Sequence, residues 1–198
     1  MSEIAFWYDF ASTYSYLSAM RIEALAAGAG VKVTYMPFLL GPIFKAQGLS
    51  TSPFAANLAK GDYMVRDIER IAAARGIVFR MPTPFPANSL TAARIAIVGE
   101  SEGWAGAFTR AVFEAEFARS EDIASKDVLA RILAELGQDP ARVLAAAETP
   151  ETKNWLRHQS DVTAKTGIFG APSFVTPPDG ELFWGDDRLE QALVWAKR

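Results

Sequence analysis

Cysteine is absent from this chain of 198 residues, and histidine occurs once. Without cysteine the chain has no disulfide, no thiolate nucleophile and no cysteine-ligated metal, so it cannot perform dithiol chemistry. The one histidine, His158, lies on a helix predicted to follow Pro150. A Ser-His-Asp triad or a histidine metal site would have to use His158. No carboxylate or second metal ligand lies at a spacing from it that would indicate either site. A polar surface histidine is the favoured interpretation.

Clusters of positive charge and long apolar runs are absent too. The 20 basic and 23 acidic residues give a formal net charge of −3 without any basic run, which makes nucleic acid and anionic membranes poor partners. No window approaches the roughly 20 apolar residues of a membrane-spanning helix. The start, Met-Ser-Glu, lacks the basic stretch and apolar run of a secretion signal, so we predict a cytoplasmic location.

The stretch from Ile4 to Leu17 holds the first candidate for function. Residues 4–8 form a short apolar and aromatic run typical of a buried strand, and apolar residues return at helical spacing from Thr13. Ser12 lies between them, where its hydroxyl can cap the helix. In open α/β sheets this is where ligands gather, because free backbone N–H groups can bind an anion there. The segment 12–15 also has the spacing of a strand–CxxC–helix redox motif, with hydroxyls in place of both sulfurs.

The hydrophobic pattern predicts strands and helices at both ends of the chain and helices between them. The predicted segments are a strand at 4–8, a helix from Thr13, a strand at 31–36, a short helix around Ile43–Lys45, about five helices from Asp62 to the one after Pro150, a hairpin of 170–176 with 181–184, and a last helix after Gly185. Four acidic residues near the middle are interpreted as solvated charges rather than a metal site: Glu114, Glu116, Glu121 and Asp122.

This order of elements is that of a thioredoxin fold with an interruption. A βαβ unit stands at the front and a ββα unit at the back, and the helical block separates them. We therefore predict an α/β protein with a thioredoxin-like fold interrupted by an all-helical insertion domain. Residues 1–40 and 168–198 would form the thioredoxin-like domain, and residues 41–167 the insertion.

Three further positions are candidates for ligand binding, each with a simpler alternative. A cis bond between Ala171 and Pro172 would expose backbone groups with which an extended peptide thiol could pair; a strand-edge proline is the alternative. Asp186 and Asp187 could fix an ammonium group, although one aspartate suffices to cap the last helix. Lys45 lies in the irregular segment after the second strand, where a solvated surface lysine is the simpler interpretation.

Taken together, the chain resembles the 2-hydroxychromene-2-carboxylate isomerases, relatives of the kappa-class glutathione transferases within the DsbA-like thioredoxin superfamily. Each motif is weak by itself, but the five occur in register along nearly the whole chain. The residues that carry the resemblance are Asp9–Leu17, Gly41–Lys45, Lys60–Met64, Gly167–Ser173 and Leu182–Leu189.

The resemblance implies a glutathione site. Ser12 would correspond to the catalytic serine that hydrogen-bonds the glutathione sulfur, and Ala171 with cis-Pro172 would pair with the cysteinyl backbone. Asp186 and Asp187 would hold the γ-glutamyl end. Lys45 would reach a glutathione carboxylate, and aromatic residues such as Tyr14, Phe44 and Phe54 would line an apolar substrate pocket.

In these isomerases the thiolate adds reversibly to the conjugated substrate and leaves again after bond rotation. The reaction interconverts 2-hydroxychromene-2-carboxylate and trans-o-hydroxybenzylidenepyruvate. The partners implied are thus glutathione and a small aromatic substrate. Dimerisation is compatible with the likeness, although no sequence feature establishes it.

The chain departs from the family pattern at two places. Thr13 stands where the family usually has proline, and the stretch after Gly48 lacks the asparagine that often contacts glutathione. Asn57 is a candidate replacement. Two other functions stay open: a kappa-like transferase that conjugates glutathione to an electrophile, and a non-enzymatic, peptide-binding thioredoxin-like module in which Ser12 is only a helix cap.

Overall fold

The computed structural model describes residues 2–48 and 57–198. Within them the elements are β1 (Glu3–Tyr8), α1 (Thr13–Ala19), α2 (Ile22–Ala29), β2 (Lys32–Pro37), α3 (Leu40–Ala46), α4 (Leu58–Ala74), α5 (Leu90–Glu102), α6 (Ala105–Phe117), α7 (Lys126–Glu135), α8 (Pro140–Ala147), α9 (Pro150–Thr166), β3 (Ser173–Thr176), β4 (Glu181–Trp184), a 3₁₀ helix (Asp186–Arg188) and α10 (Leu189–Trp195). The predicted order of strands and helices is confirmed. The described residues between α3 and β3 hold six helices, where about five are predicted.

The four strands form one mixed sheet in the order β2-β1-β3-β4. Strand β1 runs parallel to β2 and antiparallel to β3, which in turn pairs antiparallel with β4. The register places one aromatic residue from each strand side by side: Tyr35, Phe6, Phe174 and Phe183. All four are buried, so this row forms the floor of the main core.

The sheet is covered on both faces. Phe6 faces the main core, which continues into the helical block through Phe108 and Phe113. Trp7, one residue further along β1, faces the opposite side, where it packs with Phe38 and Ile168. Strands covered on both faces appear in the sequence as continuous apolar runs, which explains why residues 4–8 show no alternation with polar residues.

The domain boundaries predicted at residues 40/41 and 167/168 stay a prediction.

Two local expectations differ from the structure. The helix after Ser12 is broken at Met20 and Arg21 into α1 and α2, and at the break Arg21 pairs with Asp186. Glu116 is fully buried rather than solvated, because it lies on the core face of α6 with Val112 and Phe113. Among the described residues, no helix is both long and apolar enough to cross a membrane.

Candidate functional site

A cavity of about 1760 Å³ opens between the β1–α1 turn, α3, α4 and the loops flanking the C-terminal hairpin. All six residues predicted from the sequence to bind or act line it: Ser12, Lys45, Ala171, Pro172, Asp186 and Asp187. These residues are far apart in the chain, so the fold itself brings them together. By contrast His158 is exposed and contacts Trp155 through its ring, and it does not line this cavity.

Ser12 is the N-cap of α1. Its Oγ accepts a hydrogen bond from the backbone N–H of Ser15 at 3.2 Å, and its hydroxyl donates to the carbonyl oxygen of Ala171 at 3.2 Å. The side chain is 7% exposed, yet it belongs to the cavity wall. The hydroxyl is thus a helix cap and at the same time a donor whose partner is another cavity residue.

The loop before β3 carries a cis peptide bond between Ala171 and Pro172, as predicted. Its backbone is held on both sides: the Ser173 hydroxyl donates to the carbonyl of Gly170 at 2.8 Å, and the N–H of Gly185 donates to the carbonyl of Pro172 at 3.0 Å. A backbone hydrogen bond therefore joins the cis-proline loop to the turn that begins the C-terminal helical segment.

The two aspartates after Gly185 have different surroundings. Asp186 is 3% exposed and accepts hydrogen bonds from Ser18, Arg21 and Arg75. The side chain of Asp187 is 71% exposed and pairs with Arg188 at 3.1 Å. Neither aspartate caps the helix with its side chain, which was the simpler alternative.

Asp9 is a site residue that the sequence did not reveal. It is 4% exposed, and its carboxylate accepts from the N–H of Ala11 at 3.0 Å, the N–H of Leu40 at 2.7 Å and the Ser89 hydroxyl at 2.6 Å. Burial raises the pKa of Asp9, and these three hydrogen bonds oppose the rise. One side chain thus joins the β1–α1 turn, the start of α3 and the start of α5.

Ser89 precedes α5 in the position expected of a cap, but its hydroxyl does not cap that helix. It donates to Asp9 instead. A buried carboxylate is a stronger acceptor for a hydroxyl than water, and sequence spacing gives no sign of a partner 80 residues away.

Helix α4 forms one long wall of the cavity. The residues that face it recur at intervals of mostly three or four, as one face of a helix requires: Lys60, Tyr63, Met64, Asp67, Ile71 and Arg75. From Lys60 to Arg75 this face spans about 22 Å. In its middle Asp67 accepts a hydrogen bond from the Tyr14 hydroxyl at 2.9 Å, and burial raises the pKa of Tyr14. This bond ties α4 to the first turn of α1.

Aromatic residues form part of the cavity wall. Phe169 and Trp184 are 47% and 52% exposed, and their ring centroids lie 4.8 Å apart. Gly170 makes room for the indole, since a Cβ atom there would come within 2.6 Å of its Nε1. Tyr14 and Phe44 also line the cavity, as predicted. Phe54, the third aromatic residue predicted there, lies outside the described residues.

The remaining predicted positions lie along α3 and the start of α4. Lys45 is exposed in the last turn of α3. Asn57, the candidate replacement for the family asparagine, lines the cavity, and its side chain caps α4 by accepting from the N–H of Lys60 at 3.0 Å. The stretch that follows Gly48 lies outside the described residues.

The fold and this site define a thioredoxin-like protein without redox sulfurs, with a hydroxyl and a cis-proline loop at the position of the redox centre. The family model for the DSBA-like thioredoxin domain matches residues 3–193. The chain therefore belongs to the DsbA-like thioredoxin family, which confirms the superfamily inferred from its motifs.

Particular members of this superfamily are similar to the chain over nearly its whole length. It is 26% identical over 187 residues to the 2-hydroxychromene-2-carboxylate isomerase of Sphingobium xenophagum, with 94% of each chain covered. It is 25% identical over 199 residues to glutathione S-transferase kappa 1 of Homo sapiens, with 94% of this chain and 87% of the relative covered. A solved structure of a 2-hydroxychromene-2-carboxylate isomerase superposes with a TM-score of 0.88 at 24% identity, covering 99% of this chain and 95% of that one. This likeness confirms the predicted fold.

Proposed function

We propose that this protein is a glutathione-dependent isomerase that interconverts 2-hydroxychromene-2-carboxylate and trans-o-hydroxybenzylidenepyruvate. The names of its relatives support an isomerase- or glutathione-transferase-like function. One observation carries the glutathione dependence: a chain without cysteine keeps a hydroxyl donor and a backbone acceptor, Ser12 and Ala171, paired with each other in the wall of a large cavity.

The Ser12–Ala171 pair fits a cysteinyl ligand. A thiolate is an acceptor and would take the hydrogen of the Ser12 hydroxyl, while the cysteinyl N–H is a donor and would take the carbonyl of Ala171. One hydrogen bond of the free protein is replaced by two with the ligand, so neither buried group loses its partner, a loss that costs about 1–3 kcal/mol. A ligand with an acceptor but no adjacent donor would leave the Ala171 carbonyl unpaired.

Glutathione, when bound, would supply the nucleophilic sulfur that the sequence lacks. Ser12 would hold that sulfur in its charged form, since a hydrogen bond to the charged state of a group stabilises that state. Among the described residues no histidine or other base bonds the Ser12 hydroxyl, so Ser12 is a poor nucleophile itself. We therefore assign it the task of a donor that positions and stabilises a charge.

The charges of the cavity wall fit a tripeptide with charged ends. Lys45 lies on α3 and would bind the glycyl carboxylate. Asp187 lies on the turn after β4 with its side chain exposed, and it would face the γ-glutamyl ammonium group. An extended backbone paired with Ala171 and cis-Pro172 would lie between them, as a strand added to an edge.

The cavity has room for a second molecule. Ligand sites commonly measure about 300–1,000 Å³, and this cavity measures about 1760 Å³. Phe169 and Trp184 give it an exposed aromatic wall beside the cis-proline loop. A flat aromatic acceptor would stack there within reach of Ser12.

The test is a glutathione titration of the wild type, Ser12→Ala and Ser15→Ala, followed by thiolate absorbance near pH 7. Ser15 is a matched control because its hydroxyl is buried three residues away and lacks a partner among the described residues. We expect a thiolate signal in the wild type and Ser15→Ala and its loss in Ser12→Ala. No signal in any of the three would contradict the proposal and favour the peptide-binding module.

The likeness to glutathione S-transferase kappa 1 supports a second candidate, a transferase that conjugates glutathione to an electrophile. Both functions need the same charged sulfur, so free glutathione is measured during turnover. An unchanged concentration supports the isomerase, and consumption of one glutathione per product supports the transferase. The dimerisation and the cytoplasmic location stay predictions.

A further inference from the structure

Tyr14 brings a hydroxyl to the cavity wall that the proposed function leaves without a task. The residue follows Ser12 by two positions, in the first turn of α1, and lines the cavity. Its hydroxyl donates to the Oδ2 atom of Asp67 at 2.9 Å, and Asp67 lines the same cavity from α4. The phenol of Tyr14 thus stands between the position of the sulfur and a carboxylate.

The hydrogen of this hydroxyl has a fixed direction. A carboxylate only accepts hydrogen bonds, so Tyr14 must be the donor. The other carboxylate oxygen of Asp67 accepts from Arg70 at 3.3 Å, and Arg70 does not line the cavity. Both oxygens therefore have donors, which hold the carboxylate in place.

The Tyr14 oxygen is left as an acceptor. To donate to a ligand, Tyr14 would have to give up its bond to a charged group, which is stronger than a bond between neutral groups. A phenol oxygen can accept as well as donate, and among the described residues none donates to Tyr14. The ligand group that fits this oxygen is therefore a donor, such as a hydroxyl.

The phenol of Tyr14 also stays protonated. Burial raises the pKa of Tyr14, and the hydrogen bond to Asp67 raises it further. At neutral pH, where the bound sulfur is to be charged, Tyr14 is a neutral group. It would add no second negative charge beside the thiolate.

The charge of Asp67 distinguishes the two ends of the proposed substrate. In its open form this substrate carries a carboxylate at one end and an aromatic ring with an ortho-hydroxyl at the other. Like charges repel, so the carboxylate end is disfavoured beside Asp67. The uncharged hydroxyl is the end that fits next to Tyr14.

The position of the hydroxyl in the substrate agrees with this placement. A thiolate that adds to a conjugated ketone attacks the carbon that bears the aromatic ring. Standard bond lengths place the ortho oxygen about 3 Å from that carbon. Sulfur and hydroxyl are thus neighbours in the adduct, as Ser12 and Tyr14 are in the protein, with Cα atoms at most about 7 Å apart.

We infer that Tyr14 is a specificity-determining residue that accepts a hydrogen bond from the ortho-hydroxyl of the aromatic substrate. Asp67 is a positioning residue, since it acts through Tyr14 by fixing the direction of its hydrogen. The inference rests on the proposed function and names the substrate group that this part of the cavity recognises.

The test compares two substrates in their conversion to the trans form at saturating glutathione. One is 2-hydroxychromene-2-carboxylate, which opens to the ortho-hydroxy compound, and the other is cis-benzylidenepyruvate, which lacks the hydroxyl. We expect Tyr14→Phe to lower kcat/KM for the first about 3- to 10-fold, as for a lost neutral hydrogen bond, and to change the second less than about twofold. If cis-benzylidenepyruvate is not turned over, its Ki as a competitive inhibitor replaces kcat/KM, and the same change below about twofold is expected.

The ratio of the two values cancels the intrinsic difference in reactivity between the substrates. Asp67→Asn is expected to reduce the preference for the hydroxyl about 2- to 5-fold in the wild type and to have no further effect in Tyr14→Phe. Tyr16→Phe is the matched control, because Tyr16 lies on the same helix, donates to the Val78 carbonyl and does not line the cavity. It is expected to keep the wild-type preference. If Asp67→Asn does not fold, Tyr14→Phe with the two substrates decides the matter.

Two failures are distinguishable. An equal loss for both substrates in Tyr14→Phe, with the Ser12-dependent thiolate intact, overturns this inference and leaves the proposed function standing. Absence of a Ser12-dependent thiolate overturns the proposed function, and the inference falls with it.

Discussion

The hydroxyl of Ser12 donates to the carbonyl of Ala171 across 159 positions of sequence, at a distance of 3.2 Å. This bond joins the first turn of α1 to the cis-proline loop. The same Ser12 oxygen accepts the N–H of Ser15, so one atom serves both the local helix and the long-range contact.

Replacement of Ser12 tests how much its hydroxyl contributes to stability. Ser12→Ala removes the N-cap and is expected to lower the free energy of unfolding by about 1 kcal/mol, whereas Ser12→Thr keeps a capping hydroxyl and is expected to cost less. Urea denaturation measures both. Equal loss in the two variants would mean that the methyl group added by threonine at this buried position costs as much as the missing cap.

Asp9 and Ser89 are expected to be energetically coupled, because the buried carboxylate accepts the hydroxyl at 2.6 Å. Asp9→Asn places an amide donor opposite N–H donors and is expected to destabilise the protein by about 1–3 kcal/mol. In a double-mutant cycle with Ser89→Ala, we expect the combined loss to fall short of the sum by at least about 0.5 kcal/mol. Strict additivity would contradict a direct bond between the two side chains.

Trp184 is expected to contact the acceptor substrate rather than glutathione. Trp184→Ala removes one member of the exposed aromatic pair with Phe169, and we expect KM for the aromatic substrate to rise about 2- to 10-fold while glutathione affinity stays close to wild type. Trp155→Ala is the control, since Trp155 is 53% exposed but does not line the cavity. An unchanged KM in Trp184→Ala would remove the aromatic wall from the proposed substrate site.

Glu116 makes stability depend on pH. It is fully buried, and both carboxyl oxygens lack hydrogen-bond partners among the described residues. Burial raises its pKa well above the ordinary value, and the negative charges of Asp9 and Asp122 raise it further. The folded protein therefore holds this proton more tightly than the unfolded chain does.

The stability that this protonated carboxyl allows is fully present below the unfolded pKa of about 4.3 and is lost as the pH rises through the raised folded pKa. Between the two, the slope approaches about 1.4 kcal/mol per pH unit. Glu116→Gln carries no such proton, so its unfolding free energy relative to wild type is expected to increase between pH 5 and pH 8. Glu114→Gln, on the same helix but partly exposed, is the control. A pH-independent difference for Glu116→Gln would show that the folded protein does not hold this proton more tightly than the unfolded chain does.

The sequence predicted the elements of the fold and the convergence of six residues on one cavity, because strand and helix periodicities are local signals and the motifs stood at their ends. It did not reveal that the Asp9 side chain joins three segments of the chain or that Arg75 lines the cavity. Asp9 bonds Leu40 and Ser89, and Arg75 pairs with Asp186, contacts that span 31 to 111 positions. One signal was present for Asp9, namely a carboxylate directly after a buried strand and before the candidate serine.

Glu116 shows where a local rule failed. Acidic residues are almost never fully buried unless paired, and the neighbouring Glu114 does form exposed ion pairs. The position of Glu116 on the core face of α6 follows from the stripe that contains Val112 and Phe113. Helical phase was the better guide than residue type at this position.

The strand order has a consequence for synthesis on the ribosome. β1, in the middle of the sheet, takes its second neighbour β3 from residues 173–176, which emerge after the entire helical block. Until then the nascent chain presents an unpaired edge that carries Phe6 and Trp7, the kind of edge that recruits other chains. Completion of the sheet and assembly of the Ser12 site are thus a single late event, and a chain truncated before Ser173 would have neither.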